Sequence, residues 1–244
     1  MVEASHPLAA LHGLGVPPER VRRLAAALGL PAAPSPHDSA DADARVAVLV
    51  DDVEAATDPA AWARPFAAWI ETAPLDDATV ATQIDRATQA DLYACVTTAT
   101  ANQLHLAGRI VTAVDSRHPL GETQRDDIEL VLHEAISNAV VHGNLQVEGM
   151  KGLSVDALDR FSNALAARMA DPTYATRRIE VSCWLQPEGV LLVEVADEGS
   201  GFVPHDREGS TANASGRGLD LITAIAQQVD LLDNGRRIRI RFAL

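Results

Sequence analysis

The sequence predicts an α/β protein in which a small α/β domain over residues 1–117 precedes a two-layer α/β sandwich, built on a mixed sheet, over residues 118–244. Three observations carry this reading. Short apolar runs alternate with amphipathic stretches between residues 18 and 114, as strands and helices do around a parallel sheet. Residues 126–144 carry a helical apolar period of unusual regularity. Residues 178–202 alternate as a hairpin that runs into a glycine turn, and residues 215–225 follow as a glycine-containing loop opening an apolar helix.

In chain order, Pro18–Leu30 reads as a helix with Val21, Leu24, Ala25 and Leu28 on one stripe. Residues 31–44 are rich in Pro, Ala, Ser and Asp and read as a flexible linker. Arg45–Val50 is an apolar run of strand length ending at Asp51-Asp52. The spacing of Trp62, Phe66 and Trp69 predicts a helix over 59–70 whose aromatic stripe belongs to the core. Thr79–Ile84 and Asp91–Val96 read as further strands, and Ala99–Val114 as a helix turning Leu104, Ala107, Ile110 and Val111 inward.

In the second half, Ile128, Val131, Leu132, Ala135, Ile136, Ala139 and Val140 fall on one side of a helix. Glu134, Asn138 and His142 follow at intervals of four on another side, so a carboxylate and a carboxamide share a stripe. Gly143 stands where a left-handed residue would end the helix, and Asp126 and Asp127 stand near its start. A further helix is expected over Val155–Met169, stopped by Asp171-Pro172. Arg178–Leu185 and Val190–Val195 form the hairpin around Pro187-Glu188-Gly189, and Arg237–Phe242 is a half-buried strand with a charged outer face.

The conjunction and order of Glu134-x-x-x-Asn138, Asp197-x-Gly199-x-Gly201 and Gly216-Arg217-Gly218-Leu219 resembles the ATP-binding domain shared by histidine kinases, gyrase, heat-shock chaperones and mismatch-repair ATPases, the Bergerat fold. The ending Asn138-Ala-x-x-His142-Gly143-Asn144 looks most like its anti-sigma-factor serine kinase branch. The resemblance covers roughly residues 120–244. It implies that ATP and Mg²⁺ are bound. Asp197 would accept a hydrogen bond from the adenine amino group, with Gly199 and Gly201 turning the backbone beneath the base. Asn138 would hold Mg²⁺ through its carboxamide oxygen. Gly216, Gly218 and Leu219 would present backbone to the phosphates, Arg217 adding charge, and Glu134 would be the general base. Residues 203–215 would be the lid over the nucleotide. Two departures stand out. Gly235 is followed by Arg236-Arg237 where many members place a threonine that helps fix adenine, and residues 145–177 form a long insertion.

The front half, with its acidic pair at a strand end, resembles a degenerate receiver domain of two-component signalling. A working receiver pairs its phosphoaspartate with a lysine on a later strand, and Lys151 is the chain's one lysine. The resemblance therefore implies a pseudo-receiver that docks or regulates, with phosphorylation of Asp51 or Asp52 the lesser alternative. His105 lacks the acidic neighbour of a phosphoacceptor histidine.

Composition excludes other classes. The same lysine count removes the P-loop, since Lys151 is followed by Gly152-Leu153, and removes the strand lysine of the eukaryotic-type kinase. A net charge of −14 argues against a nucleic-acid partner. No apolar run of membrane-spanning length and no basic-then-apolar leader occurs, which predicts a cytoplasmic protein without a membrane partner. Cys95 and Cys183 have no metal-ligand or redox spacing and read as buried thiols.

Two functions remain open. One is an ATP-dependent serine/threonine kinase whose protein partner is an anti-sigma antagonist, a sigma factor or another signalling protein. The other is a nucleotide-binding adaptor or phosphotransfer scaffold that transfers no phosphate. A histidine kinase ranks lower, because no two-helix dimerisation segment is visible. The resemblance also suggests a homodimer.

Overall fold

The computed structural model describes residues 7–33, 44–150, 154–201 and 217–244. The expected linker falls mostly outside them, and the expected lid and Gly216 fall wholly outside.

The described residues build one eight-stranded sheet in the order β1-β2-β3-β4-β5-β6-β8-β7. The front strands are β1 (Ala10–Leu14), β2 (Val46–Val50), β3 (Phe66–Glu71) and β4 (Leu92–Thr97), all parallel. The back strands are β5 (Arg178–Gln186), β6 (Val190–Asp197), β7 (Gln228–Leu232) and β8 (Arg237–Ala243), all antiparallel. The two sets meet where β4 pairs antiparallel with β5, Leu92 opposite Cys183 through Thr97 opposite Arg178. The expected division at 117/118 falls between two packed helices, and the sheet runs across it.

Helices α1 (Pro18–Leu28) and α2 (Asp77–Ala87) cover one face of the front strands, where Leu11, Leu24, Leu49, Ile70 and Ile84 are buried together. The other face is continuous along the whole sheet. It is covered by α3 (Thr98–Leu104), α4 (Leu106–Asp115), α5 (Glu122–Asn138) and α8 (Arg217–Ile225), and its core runs from Trp62 and Trp69 through Ile110 and Val131 to Val193 and Ile240. The front is thus three layers and the back two. Helix α6 (Val155–Ala170) and the short α7 (Pro172–Ala175) fill the insertion, with Phe161, Leu165 and Met169 packed against the core. No helix among the described residues is long and apolar enough to cross a membrane.

Several expectations change. The span 59–70 is not a helix: a 3₁₀ turn at Pro59–Trp62 leads into strand β3. Pro65 stands between them and cannot sit inside a helix without clash and a lost hydrogen bond. The aromatic pair is nonetheless core, with the Trp62 and Trp69 rings stacked 4.3 Å apart. Thr79–Ile84 lies in helix α2, capped by Asp76, whose side chain accepts from the Thr79 N–H. The single helix expected over 99–114 is two, broken at His105 in a left-handed conformation (φ 50°).

The front strands lie in chain order, without the reversal between first and second strands by which a receiver-like sheet is wound. At the end of β2, Asp51 accepts from the Thr72 hydroxyl (2.6 Å) and lies 4.0 Å from the Arg20 guanidinium, and Asp52 caps the Ala55 N–H (3.0 Å). Cys95 and Cys183 are both buried free thiols, on opposite faces of the sheet, and burial pushes the Cys95 thiol up to about 12.

Candidate functional site

Helix α5 begins at Glu122, four residues ahead of Asp126, and buries Ile128, Val131, Leu132, Ala135 and Ile136 as its period requires. Its polar stripe reaches Asn138, where the helix widens into a π-helical turn over Ala139–Asn144. Such turns bulge a helix locally and occur often at functional sites. Gly143 lies inside this turn and has no left-handed conformation, contrary to expectation. Glycine is required there for another reason: a side chain at 143 would collide with the carboxyl of Asp197.

Asp197 ends β6, and the turn after it closes tightly. Its N–H donates to the Arg236 carbonyl (2.9 Å), and its Oδ1 accepts from the Gly199 N–H (2.7 Å). Gly199 packs directly on the carbonyl of Gly143, and Gly201, at φ +84°, packs on the carbonyl of Asn234. Burial, opposed by the Gly199 hydrogen bond and by the Arg236 and Arg177 charges, pushes the Asp197 carboxyl up to about 6.

Asn144 fixes this arrangement. It is fully buried; its Nδ2 donates to Thr98 Oγ1 (2.8 Å) and to the Arg178 carbonyl (2.9 Å), and its Oδ1 accepts from the Glu198 N–H (2.7 Å). The Arg177 guanidinium donates to the Asn144 carbonyl (2.7 Å). One amide therefore ties the π-helical turn to the starts of α3 and β5 and to the turn after Asp197. No hydrophobic pattern marks such a residue; its place at the end of the Asn138–Asn144 run is the one signal the sequence offers.

Between α5, the ends of β6 and β8, and α8 lies a cavity of about 410 Å³, within the usual range for small-molecule sites. Of the expected site residues, Asn138, Asp197, Gly201 and Leu219 line it. Gly199 lies in the turn beside it. Glu134 sits one helical turn before Asn138, and both abut α8: a Cβ at Gly218 would lie 2.7 Å from Glu134 Oε2 and 3.3 Å from Asn138 Nδ2. Arg217 begins α8. His142, named in the Asn138–Asn144 run, also lines the cavity, and lining residues that the motifs do not name include Val147, Ser200, Leu231, Arg236 and Ile238. His142 is held by a 2.7 Å hydrogen bond between its Nδ1 and the Val147 carbonyl.

Among the described residues no group of three or more His, Cys, Asp or Glu side chains could hold a metal ion alone. The donor set suits an ion that takes one or two protein oxygens and completes its shell from phosphates and water, as Mg²⁺ does.

A family model described as the histidine kinase-like ATPase domain matches residues 97–242. No curated protein matches the chain. The matched span begins at the last residue of β4 and contains every residue described in this cavity.

Proposed function

The chain belongs to the histidine kinase-like ATPase family, and from that premise we propose that it binds ATP in this cavity and transfers the γ-phosphate to a serine or threonine of a partner protein. The observation that carries the reading is the convergence at Gly218, where the first turn of α8 lies against Glu134 and Asn138 beside the cavity that holds Asp197.

The roles follow from the chemistry of the groups. Asp197 Oδ1 is engaged by Gly199, so Oδ2 is the oxygen offered to an amino group of the base. Gly218 puts no side chain between the first turn of α8 and the pair Glu134 and Asn138, so the N–H groups and dipole of that turn serve the phosphates. Asn138, with a carboxamide oxygen, would hold Mg²⁺, which when bound offsets phosphate charge. Glu134 takes the proton from the partner's hydroxyl as that oxygen bonds to the γ-phosphorus and ADP leaves. A pure binding module has no need of a carboxylate at this place.

Titration calorimetry with a non-hydrolysable ATP analogue and Mg²⁺ tests the pocket. Binding in the micromolar range is expected, and loss of binding in Asp197→Asn. The asparagine keeps its oxygen on the Gly199 N–H and turns an NH₂ toward the base's amino group, so two donors meet. Absence of binding by the wild type sinks the proposal. With binding established, phosphate transfer to a partner that is lost in Glu134→Gln supports the kinase; binding without transfer supports an adaptor.

A further inference from the structure

We infer that Arg236 is a specificity-determining residue, reading together with Asp197 two adjacent positions on the edge of the base. The inference rests on the proposed nucleotide site. It starts from the ladder: β6 and β8 pair down to Ala196 opposite Arg237, so Asp197 and Arg236 form the next opposed pair, joined by the Asp197 N–H to Arg236 carbonyl bond of 2.9 Å. Directly opposed residues in an antiparallel pair project to the same face of the sheet. Here that face is the helix-covered one, and both residues line the cavity.

The Arg236 guanidinium is held at its Nε, which leaves the two terminal NH₂ groups for a ligand. The Nε donates to the Asp233 carbonyl (3.2 Å), and the Arg236 Cγ lies 3.3 Å from where a Cβ at Gly201 would stand. A side chain at 201 would press on the arginine stem, so the glycine turn shapes the space for Arg236 as well as for the base. The result is an acceptor and a donor at the ends of adjacent strands at the cavity, the part-buried Asp197 and, at its rim, the exposed Arg236.

Adenine presents the complement: its exocyclic amino group donates, and the ring nitrogens on either side of it, N1 and N7, accept. With Asp197 on the amino group, the guanidinium meets one of these nitrogens. A threonine hydroxyl at such a place can donate or accept; a guanidinium only donates. Arg236 therefore commits the site to a base with an acceptor beside its amino group.

Calorimetry of the full chain with ADP, 1-deaza-ADP and 7-deaza-ADP tests this, since each analogue replaces one ring nitrogen by C–H and leaves the amino group in place. A charge-assisted hydrogen bond of the usual strength corresponds to about tenfold or more in affinity. The wild type is expected to bind one analogue about tenfold or more weakly than ADP. Arg236→Ala, its fold checked by an unchanged melting midpoint, is expected to bind ADP as weakly as that analogue and to distinguish the two no longer. Discrimination that persists in Arg236→Ala overturns the inference, as does an equal weakening of all three ligands, which would mean stacking or bulk charge. A wild type that discriminates against neither analogue overturns it while leaving the nucleotide site standing. No binding of ADP overturns both.

Discussion

Strands β2, β3 and β4 are buried at every position, whereas β5 and β8 bury mainly alternate residues, although all belong to one sheet. The front strands have helices on both faces and consist of apolar runs such as Val46–Val50. The back strands have helices on one face. Their other face carries Glu180, Glu194, Arg237 and Arg239, with Glu194 bridging Arg237 (2.8 Å) and Arg239 (2.7 Å). The difference teaches where a ligand can enter. A doubly covered parallel sheet has no room over its face, whereas the back half leaves a gap between α5, α8 and the strand ends, and the cavity occupies it.

The strongest way to break this comparison is in the front core. Trp69 is fully buried, stacked on Trp62 and hydrogen-bonded from its indole N–H to the Ala61 carbonyl (2.7 Å). Trp69→Ala is expected to cost about 3–5 kcal/mol in denaturant unfolding, and because the sheet is continuous the loss should appear in the whole transition. Two separate transitions, with the back half unaffected, would show that the halves fold independently.

Asn144→Ala strikes the junction itself. Removing this buried amide leaves the Glu198 N–H, the Thr98 hydroxyl and the Arg178 carbonyl short of a partner. A destabilisation of about 2–3 kcal/mol is expected, with weaker nucleotide binding because the turn after Asp197 loses its tether. Unchanged affinity would mean that the turn holds itself.

Asp197→Asn sharpens the comparison in the opposite direction, with a smaller effect. A part-buried carboxyl raised to about 6 favours the folded state only while protonated. Its contribution is complete below the ordinary carboxyl value of 3.8 and is lost as pH rises through about 6. The asparagine variant without nucleotide should therefore melt higher than the wild type at pH 7, the gap closing toward pH 4. Wild-type nucleotide affinity should fall as pH drops through about 6. A gap that does not vary with pH would show that the carboxylate is not what strains the apo site.

The smallest effect is expected at the seam's surface. Arg86 on α2 contacts Glu180 on β5 at 2.6 Å, with the arginine half exposed. Arg86→Ala should cost less than about 1 kcal/mol, measured in the same unfolding experiment. A larger loss would mean that side chains, as well as the β4–β5 ladder, hold front to back.

Most of the back half was legible because its signals are local. The period from Ile128 to Ile136, the alternation from Ile179 to Cys183 and the glycine motifs each sit within a dozen residues. Elsewhere two periods fit one stretch. Trp62, Phe66 and Trp69 satisfy a helical spacing, but Pro65 breaks it and the chain becomes a strand. Thr79–Ile84 alternates, but Val80, Gln83, Ile84 and Ala87 also satisfy a helix, and the Asp76 cap decides for it. Strands β1 and β7, ALHGL and QVDLL, carry neither a continuous β-branched run nor a clear alternation to mark them. The cavity's motif residues were readable, whereas Asn144 and Arg236 owe their roles to contacts with segments distant in the chain. The largest feature, β4 paired with β5, joins residues separated by the whole α3–α7 segment.

That pairing has a consequence for anyone who trims this protein. Strand β5 is an interior strand because β4 lies against its side. A fragment beginning at residue 118 would leave its backbone N–H and C=O groups facing solvent along a strand with one apolar face, an open template for other chains. Such a fragment would keep every motif residue and invite clumping through its bare flank, so the front half serves, whatever else it does, as the fixed cover of that flank.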